Sequence, residues 1–382
     1  MKIGLVCPYN IERNGGVLEV VLALKDGLNA KGHKVKIITP YPSNHELEES
    51  PEIIFAGTST DFRTLSFTDT TSQVSSTADS EKIDKMLQEE DFDILHFHEP
   101  WMPLLSRQLL QRSTSVNIGT FHAKVSDALM TRAVLKVVTP YLRSVLKYLD
   151  ELTAVSDSGA SYAAGMTDQQ ITIIPNGIDL QKYKRRPVAK DDNTKMILFV
   201  GRLERRKGVR YLLRAFQLFE ERYPEARLLI AGDGPDREKL ELLAEDLKLK
   251  NVSFLGFISE EMKLQLLSEA DIFCSPALFG ESFGIVLLEA MAMGTVCIAG
   301  NNSGYSDLMK GVGALSIVNP EDSLEFARRM DTLINEKSVR DLWQKWAKSY
   351  VKQFNYPLVV DQYEAFYKEA INNHHGKAKA SL

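Results

Sequence analysis

The feature that most constrains the fold is a rhythm of short apolar runs, each followed by a turn and a helix, which occurs in two sets along the chain. Short apolar runs between turn residues are typical of parallel strands that are covered by helices on both faces. One set begins at Ile3–Cys7 and the other at Met196–Val200, with a basic, proline-containing linker at 181–195 between them. The sequence therefore predicts an N-terminal domain, a C-terminal domain and a final helix with a flexible tail, with the bounds 1–190, 191–353 and 354–382.

Three further segments have a pattern of their own. The stretch from Thr58 to Ser80 is rich in serine and threonine and lacks a clear period, which indicates a mobile surface loop. Residues 128–148 carry basic side chains among leucines and valines and are expected to form a long helix, and the polar stretch from Asn372 to the end is expected to be disordered.

Composition narrows the class of protein. With 44% hydrophobic and 25% charged residues, the chain has the make-up of a globular protein, and its net charge of −5 gives no reason to expect nucleic acid as a partner. The three cysteines have neither a pairing pattern nor metal-ligand spacing, and the first strand is too short for a signal peptide. We therefore expect a cytoplasmic protein.

The stretch from Gly280 to Gly294 is the strongest candidate binding element. A Gly-Glu-Ser-Phe-Gly loop leads directly into an apolar helix, whose first backbone N–H groups favour an anion. Glu281 lies in the loop, and Glu289 follows about two turns later on roughly the same side. A phosphate site with a carboxylate on each side suits a sugar nucleotide. The same residues would also be present if Glu281 only capped the helix and Glu289 were a solvated helix residue.

A second candidate element follows the strand at Met196–Val200. Arg202 and Lys207 stand at its carboxyl end, where an arginine fork and a lysine point charge suit a diphosphate. Taken alone, this basic cluster could also be a solvated turn.

The N-terminal half offers two weaker signals. Gly15 and Gly16 follow the first strand, but the full G-x-G-x-x-G pattern is absent, so a nicotinamide cofactor is not indicated. His122 follows a predicted strand at its carboxyl end, the usual location of ligands in doubly wound sheets. His96 and His98 share a strand face, where they could be metal ligands or buried, hydrogen-bonded histidines.

Several separated motifs together resemble the family-4 retaining glycosyltransferases over nearly the whole chain. They are Ile174-Pro175-Asn176-Gly177, Val200-Gly201-Arg202, Arg206-Lys207-Gly208 and Glu281-Ser282-Phe283-Gly284 with Glu289-Ala290-Met291-Ala292. In the first half, Val6-Cys7-Pro8-Tyr9, Gly15-Gly16-Val17, His98-Glu99-Pro100 and Thr120-Phe121-His122 resemble the bacterial phosphatidylinositol mannosyltransferases. The resemblance implies the GT-B fold, α/β with two Rossmann-like domains facing a deep interdomain cleft, and a C-terminal helix that crosses back to the first domain.

The resemblance also implies roles for individual residues. The catalytic set is His122, Glu281, Arg202 and Lys207. The substrate-binding set is Tyr9, Gly15, Gly16, Ser282, Phe283, Gly284, Ile285 and Glu289. The implied reaction is hexose transfer with retention, from GDP-mannose to a lipid or lipid-linked acceptor such as phosphatidylinositol, with neither a metal nor another cofactor.

Other readings stay open at this point. The donor could be a UDP-hexose, the acceptor could be soluble or another glycolipid, and a sugar-nucleotide epimerase or a silent binding subunit could share the scaffold. The basic run that the mannosyltransferases carry on a membrane-facing helix is replaced here by an acidic stretch at 79–85. We therefore expect peripheral contact with anionic membrane at the inner face of the cell membrane through the basic surface at 124–147 instead.

Overall fold

The computed structural model describes most of the chain, with gaps that bear on some of these expectations. The described ranges are 1–11, 15–41, 50–64, 70–75, 78–100, 104–122, 139–184 and 194–380, with side chains left out at 59–64, 70–75 and 377–380. Most of the expected basic surface at 124–147 therefore lies outside the described residues, apart from its last part.

The described residues form fourteen strands. In the first unit they are β1 Lys2–Val6, β2 Lys34–Tyr41, β3 Ile53–Thr64, β4 Thr70–Ser75, β5 Ile94–His98, β6 Val116–Phe121, β7 Glu151–Ala154 and β8 Ile171–Ile173. In the second unit they are β9 Met196–Val200, β10 Arg227–Ala231, β11 Val252–Gly256, β12 Ile272–Ser275, β13 Val296–Gly300 and β14 Ile317–Val318.

The α-helices alternate with these strands. They are α1 Gly16–Ala30, α2 Ser80–Glu90, α3 Leu105–Arg112, α4 Asp157–Ala164, α5 Val209–Arg222, α6 Arg237–Asp246, α7 Glu260–Glu269, α8 Ile285–Ala292, α9 Ser303–Leu308, α10 Ser323–Asn335, α11 Lys337–Tyr350 and α12 Tyr356–Ala380. Residues 139–146 are helical too, and the rest of the helix expected at 128–148 lies outside the described part. No helix in that part is both long enough and apolar enough to cross a membrane.

The sheet of the first unit has the strand order β4-β3-β2-β1-β5-β6-β7-β8. All neighbouring strands are parallel except β3 and β4, which form an antiparallel hairpin. This hairpin corrects the expectation of a mobile loop from Thr58 to Ser80. Threonine is β-branched and favours extended backbone, so a threonine-rich stretch extends an edge strand even when its apolar pattern is weak.

The C-terminal helix α12 packs on the first unit, which confirms the predicted crossover. Its Val360 contacts α1 so closely that a Cβ on Gly27 would lie 2.5 Å from a Val360 methyl group. The expectation of a flexible tail from Asn372 is wrong, because α12 continues to Ala380. His374 Nδ1 lies 3.0 Å from Asp150 Oδ1, and this contact fastens the last turns to the sheet end.

The second unit is a six-stranded, fully parallel sheet with the order β11-β10-β9-β12-β13-β14. Its core is lined by apolar side chains that are inaccessible to solvent, among them Leu198, Phe216 and Phe273. The two doubly wound units confirm the predicted α/β class.

The chain divides earlier than the sequence suggested. The first unit comprises 1–177 with 356–382, and the second comprises 178–355. Residues after 177 belong to the second unit because Ile178 bonds to the backbone of Phe354, and because the buried Tyr183 donates its hydroxyl to a helix of that unit. The segment expected as a linker thus begins as part of the second unit, and its residues 185–193 lie outside the described part.

Each sheet has a switch point, the strand at which the order reverses. In the first unit β1 lies between β2 and β5, and in the second β9 lies between β10 and β12. Ligands of open α/β sheets bind beyond the carboxyl ends of the strands at such points. The loops after β1, β5 and β6, and those after β9 and β12, are therefore where the two candidate sites should lie.

Candidate functional site

The loop after β9 is held tightly against the loop after β12. Gly208 has a φ of +71°, and a Cβ there would lie 2.0 Å from the carbonyl oxygen of Pro276, so only glycine fits. Leu278 N donates to the carbonyl of Arg206 at 2.8 Å. This packing brings the basic turn at 205–207 next to the Gly-Glu-Ser-Phe-Gly loop. The two motifs can therefore bind the same diphosphate, as the resemblance implies.

Glu281 is at the centre of the contacts between these two loops. Its Oε1 accepts from Arg206 Nη1 at 2.6 Å and lies 2.7 Å from Lys207 Nζ. Burial works to raise the pKa of Glu281, but the charges of Lys207 and Arg206 outweigh it and hold the pKa below its ordinary value. The carboxylate is therefore ionised and firmly positioned.

A second buried carboxylate holds the arginines. Glu204 Oε2 accepts from Arg206 Nε at 2.9 Å, and Arg202 Nε lies 3.1 Å from Oε1, within ion-pair distance but not aligned as a hydrogen bond. The Arg202 side chain is 50% exposed, so it can also contact a ligand. The whole cluster carries one net positive charge, because it contains three cations and two carboxylates: Arg202, Arg206, Lys207, Glu204 and Glu281.

The turn that enters α8 presents backbone N–H groups beside this cluster. Gly284 has a φ of +101°, and a Cβ there would lie 2.9 Å from the ring of Tyr305, so the close turn requires glycine. Among the described residues, no acceptor is aligned with the backbone N–H of Phe283, Gly284 or Ile285. These groups and the excess positive charge form a site suited to a phosphate.

Glu289 lies further along α8 and has different partners. Its Oε1 accepts from the Tyr183 hydroxyl at 2.6 Å and from Lys263 Nζ at 2.9 Å. Burial works to lower the pKa of Lys263, whereas the charge of Glu289 raises it, and the net shift is upward. Both hydrogen bonds go to Oε1, so among the described residues Oε2 has no donor.

The candidate site of the first unit is built around His122. Its Nε2 lies 2.8 Å from His98 Nδ1, and its backbone N–H donates to Glu99 Oε1 at 2.9 Å. His96 is hydrogen-bonded through both ring nitrogens, to Tyr367 at 2.7 Å and to Thr120 at 2.6 Å. Of the two readings of the His-x-His pair, the structure favours the buried, hydrogen-bonded one.

Tyr9 and the two glycines complete this site. Burial raises the pKa of the Tyr9 phenol, and the carboxylate of Glu99 raises it further, which places Tyr9 within the electrostatic reach of Glu99. Gly15 precedes α1, which begins at Gly16 without a side-chain cap, and a Cβ on Gly15 would meet nothing within 4 Å. Among the described residues, none would therefore obstruct a side chain at Gly15.

The structure thus brings the sequence-predicted residues into three groups. Arg202, Lys207 and Glu281 lie together with the 282–285 turn, Glu289 lies in a polar cluster of its own, and His122 lies in the first unit with Tyr9 nearby. Within the part of the chain that the structure describes, no group of three or more His, Cys, Asp or Glu side chains is arranged to hold a metal ion.

Sequence reasoning missed the supporting residues of these groups. They are Glu99, Tyr183, Glu204, Arg206 and Lys263. His98 was expected to be buried and hydrogen-bonded, but its contact with His122 was not predicted. Arg206 could have been predicted, because it is a second cation directly beside Lys207 in the sequence. Nothing in the sequence links Lys263 or Tyr183 to Glu289, because both pairings exist only in the folded chain.

Comparisons with known proteins identify the family of this chain. Residues 14–182 match the family model described as Glycosyltransferase Family 4, and residues 181–350 match the model described as Glycosyl transferases group 1. A phosphatidyl-myo-inositol mannosyltransferase of Mycolicibacterium smegmatis is 30% identical over 372 residues, which cover 96% of this chain and 94% of that protein. An alpha-monoglucosyldiacylglycerol synthase of Acholeplasma laidlawii is 25% identical and covers 76% of this chain and 78% of that protein.

A solved structure supports the fold. Sucrose-phosphate synthase from Thermosynechococcus elongatus superimposes with a TM-score of 0.76 at 22% identity, over 97% of this chain and 99% of that one. At this level of identity the likeness concerns the fold alone. The full-length match at 30% identity goes further, and the chain belongs to the family-4 glycosyltransferases of the GT-B fold.

Proposed function

We propose that this protein is a retaining, metal-independent mannosyltransferase that moves mannose from GDP-mannose to a hydroxyl group of a lipid or lipid-linked acceptor such as phosphatidylinositol. The glycosyltransferase class follows from the family. The donor, the stereochemistry and the acceptor are the proposal. The name of the mannosyltransferase relative supports mannose as the transferred sugar, and the names of both relatives support a lipid acceptor.

The observation that carries the proposal is the cluster around Glu281. An ionised carboxylate, Lys207 and Arg206 stand beside N–H groups of the 283–285 turn that have no acceptor among the described residues. A sugar diphosphate presents hydroxyl groups and phosphate oxygens side by side. The carboxylate suits the hydroxyls, and the cations and N–H groups suit the phosphates.

The same arrangement suits the chemistry of retention. When the anomeric C–O bond breaks, its electron pair goes to the β-phosphate oxygen, where Arg202, Lys207 and the turn amides stabilise the charge. The acceptor hydroxyl attacks from the face that the phosphate leaves, and its proton passes to a phosphate oxygen. Glu281 positions the sugar and does not attack it, because two cations already engage its carboxylate.

Glu289 and Tyr9 complete the proposal. Oε2 of Glu289 suits a ribose hydroxyl, since its other oxygen already accepts from Tyr183 and Lys263. Tyr9 and Gly16 lie at the carboxyl end of β1, and we assign them to the acceptor side and to the donor phosphates respectively.

A thermal-shift panel tests the donor. We expect GDP-mannose to raise the melting temperature, because a ligand that binds only the folded state stabilises it by about 2.7 kcal/mol at 100 times its Kd. GDP and free mannose serve as partial ligands, and the Lys207→Ala variant should lose most of the shift. A shift with UDP-hexoses alone would assign the donor to UDP, and no shift with any nucleotide sugar would contradict the donor site.

A vesicle co-sedimentation assay tests the lipid acceptor. Arg143 and Lys147 are the described cations of the expected membrane surface, and both are exposed. We expect salt-sensitive binding to vesicles that contain an anionic lipid, because basic side chains contribute about 1 kcal/mol each near such a surface. The double variant Arg143→Glu/Lys147→Glu should lose it.

The matched control reverses two positive charges in the second unit, away from the expected membrane surface. Lys239 and Lys337 are equally exposed cations of the second unit, with side chains 79% accessible. Their double Glu variant should bind vesicles as the unchanged protein does. A protein that stays in the supernatant with anionic vesicles at low salt would favour a soluble acceptor.

A further inference from the structure

Three buried histidines lie next to one another near the carboxyl ends of β5 and β6. The ring centroids of His96 and His98 are 4.2 Å apart, and those of His98 and His122 are 5.1 Å apart. His96 and His98 are inaccessible to solvent, and His122 is 8% exposed. Burial lowers the pKa of His96 and of His122 to about 3, and that of His98 well below its ordinary value. All three rings are therefore neutral at pH 7, and each carries one ring proton.

The hydrogen bonds decide where two of these protons lie. One proton must stand between His98 Nδ1 and His122 Nε2, which are 2.8 Å apart. His98 Nε2 is buried and has no partner among the described residues. If His122 donated, the proton of His98 would lie on Nε2 as a buried N–H without an acceptor, which is rarer in proteins than a bare acceptor nitrogen. His98 must then donate from Nδ1.

This assignment fixes the tautomer of the next ring. Since His122 Nε2 accepts from His98, the proton of the neutral His122 lies on Nδ1. Asn176 lies beside His122, and its buried Oδ1 has no aligned donor among the described residues. The neutral His122 ring therefore has its N–H on the nitrogen that His98 does not engage, and the Asn176 side chain is among its neighbours.

We propose that His98 is a positioning residue that locks His122 in the Nδ1–H tautomer, so that His122 serves the reaction as a neutral hydrogen-bond donor and not as a general base. His122 cannot act as a general base, because its only free lone pair, on Nε2, already accepts the hydrogen bond from His98. This catalytic consequence rests on the proposed function, whereas the tautomer itself does not.

The surroundings hold His98 and His122 in place. Tyr367 of α12 and Thr120 of β6 fix His96, on which the His98 ring packs. Glu99 accepts the backbone N–H of His122 while holding a φ of +54°, a left-handed conformation that is strained for a non-glycine residue. Strain of this kind persists where neighbouring contacts fix the geometry.

Nuclear magnetic resonance of the full-length protein labelled with ¹⁵N-histidine tests the tautomer directly at pH 7. Long-range ¹H–¹⁵N spectra distinguish a protonated from a bare ring nitrogen, and the spectra of His122→Asn and His98→Asn assign the signals. We expect a protonated Nδ1 and a bare Nε2 in both rings. An Nε2–H tautomer or a doubly protonated ring at His122 would overturn the proposal, whether or not the protein transfers mannose.

Turnover tests the consequence with a matched pair of variants. The amide of Asn lies near the position of Nδ1 and that of Gln near Nε2, so His98→Asn retains the donor to His122 and His98→Gln does not. We expect kcat within about twofold of the unchanged protein for Asn and about fivefold lower for Gln, with KM unchanged, since the loss of one hydrogen bond has an effect of about this size. Equal losses in two variants with equal melting temperatures would mean that His98 serves packing alone, and would overturn its positioning role.

Discussion

Replacing Lys207 by alanine is expected to lower turnover by about 10²–10³-fold, since removal of one preorganised partner of developing charge has a cost of that size. Lys207 Nζ lies 2.7 Å from Glu281, which precedes the 283–285 turn in the same loop, and the Lys207 side chain is only 15% exposed. In the proposed reaction its charge stabilises the leaving phosphate, whose negative charge grows as the sugar bond breaks. Initial rates at saturating donor measure the loss in kcat.

Arg205 provides the matched control for this prediction. It stands two residues earlier in the same turn, carries the same charge and is exposed. Arg205→Ala should keep turnover within about twofold, because a solvent-exposed cation contributes little to a partly buried site. Near-normal turnover in Lys207→Ala would remove Lys207 from the mechanism, and equal losses in both variants would point to a general effect of charge.

The sequence predicted the parts of the fold that depend on local pattern. Short apolar runs such as Ile3–Cys7 and Met196–Val200 became central strands, because a strand covered on both faces must be apolar throughout. Gly208 and Gly284, which belong to turn motifs in the sequence, lie in close turns and have positive φ angles. Strand ends and turns then placed the residues of both candidate sites at the correct edge of each sheet.

The sequence could not predict what depends on contacts between distant segments. The pairing of Lys263 and Tyr183 with Glu289, and the hydrogen bond between His98 and His122, follow from packing that no local pattern encodes. The continuation of α12 through a polar tail has the same cause, since its contact with Asp150 lies far away in sequence. The sequence also placed the boundary between the domains too far along the chain, at 190 and not at 177. The hydrogen bond that ties Tyr183 to Glu289 of α8, and so to the second unit, cannot be read from the sequence.

Glu281→Gln is expected to lower turnover by about 10²–10³-fold while the protein stays folded. The amide keeps the shape of the carboxylate and can still accept one hydrogen bond, but it leaves Lys207 without its anion. Because both side chains are largely buried, we expect a loss of about 1.5–3 kcal/mol in the free energy of unfolding, as for a hydrogen bond to a charged group. Thermal melting measures that loss, and initial rates at saturating donor and acceptor measure turnover.

Glu204→Gln separates contact with the sugar from the support of the arginines. Glu204 shares Arg206 with Glu281, and its side chain is only 3% exposed. If Glu281 contacts the sugar as proposed, Glu204→Gln should affect turnover far less than Glu281→Gln, although both variants weaken the hold on Arg206. Equal losses in turnover would mean that Glu281 acts only by fixing Arg206 and Lys207. In that case the hydroxyl groups of the donor sugar would need another acceptor, and the role assigned to Glu281 would be wrong.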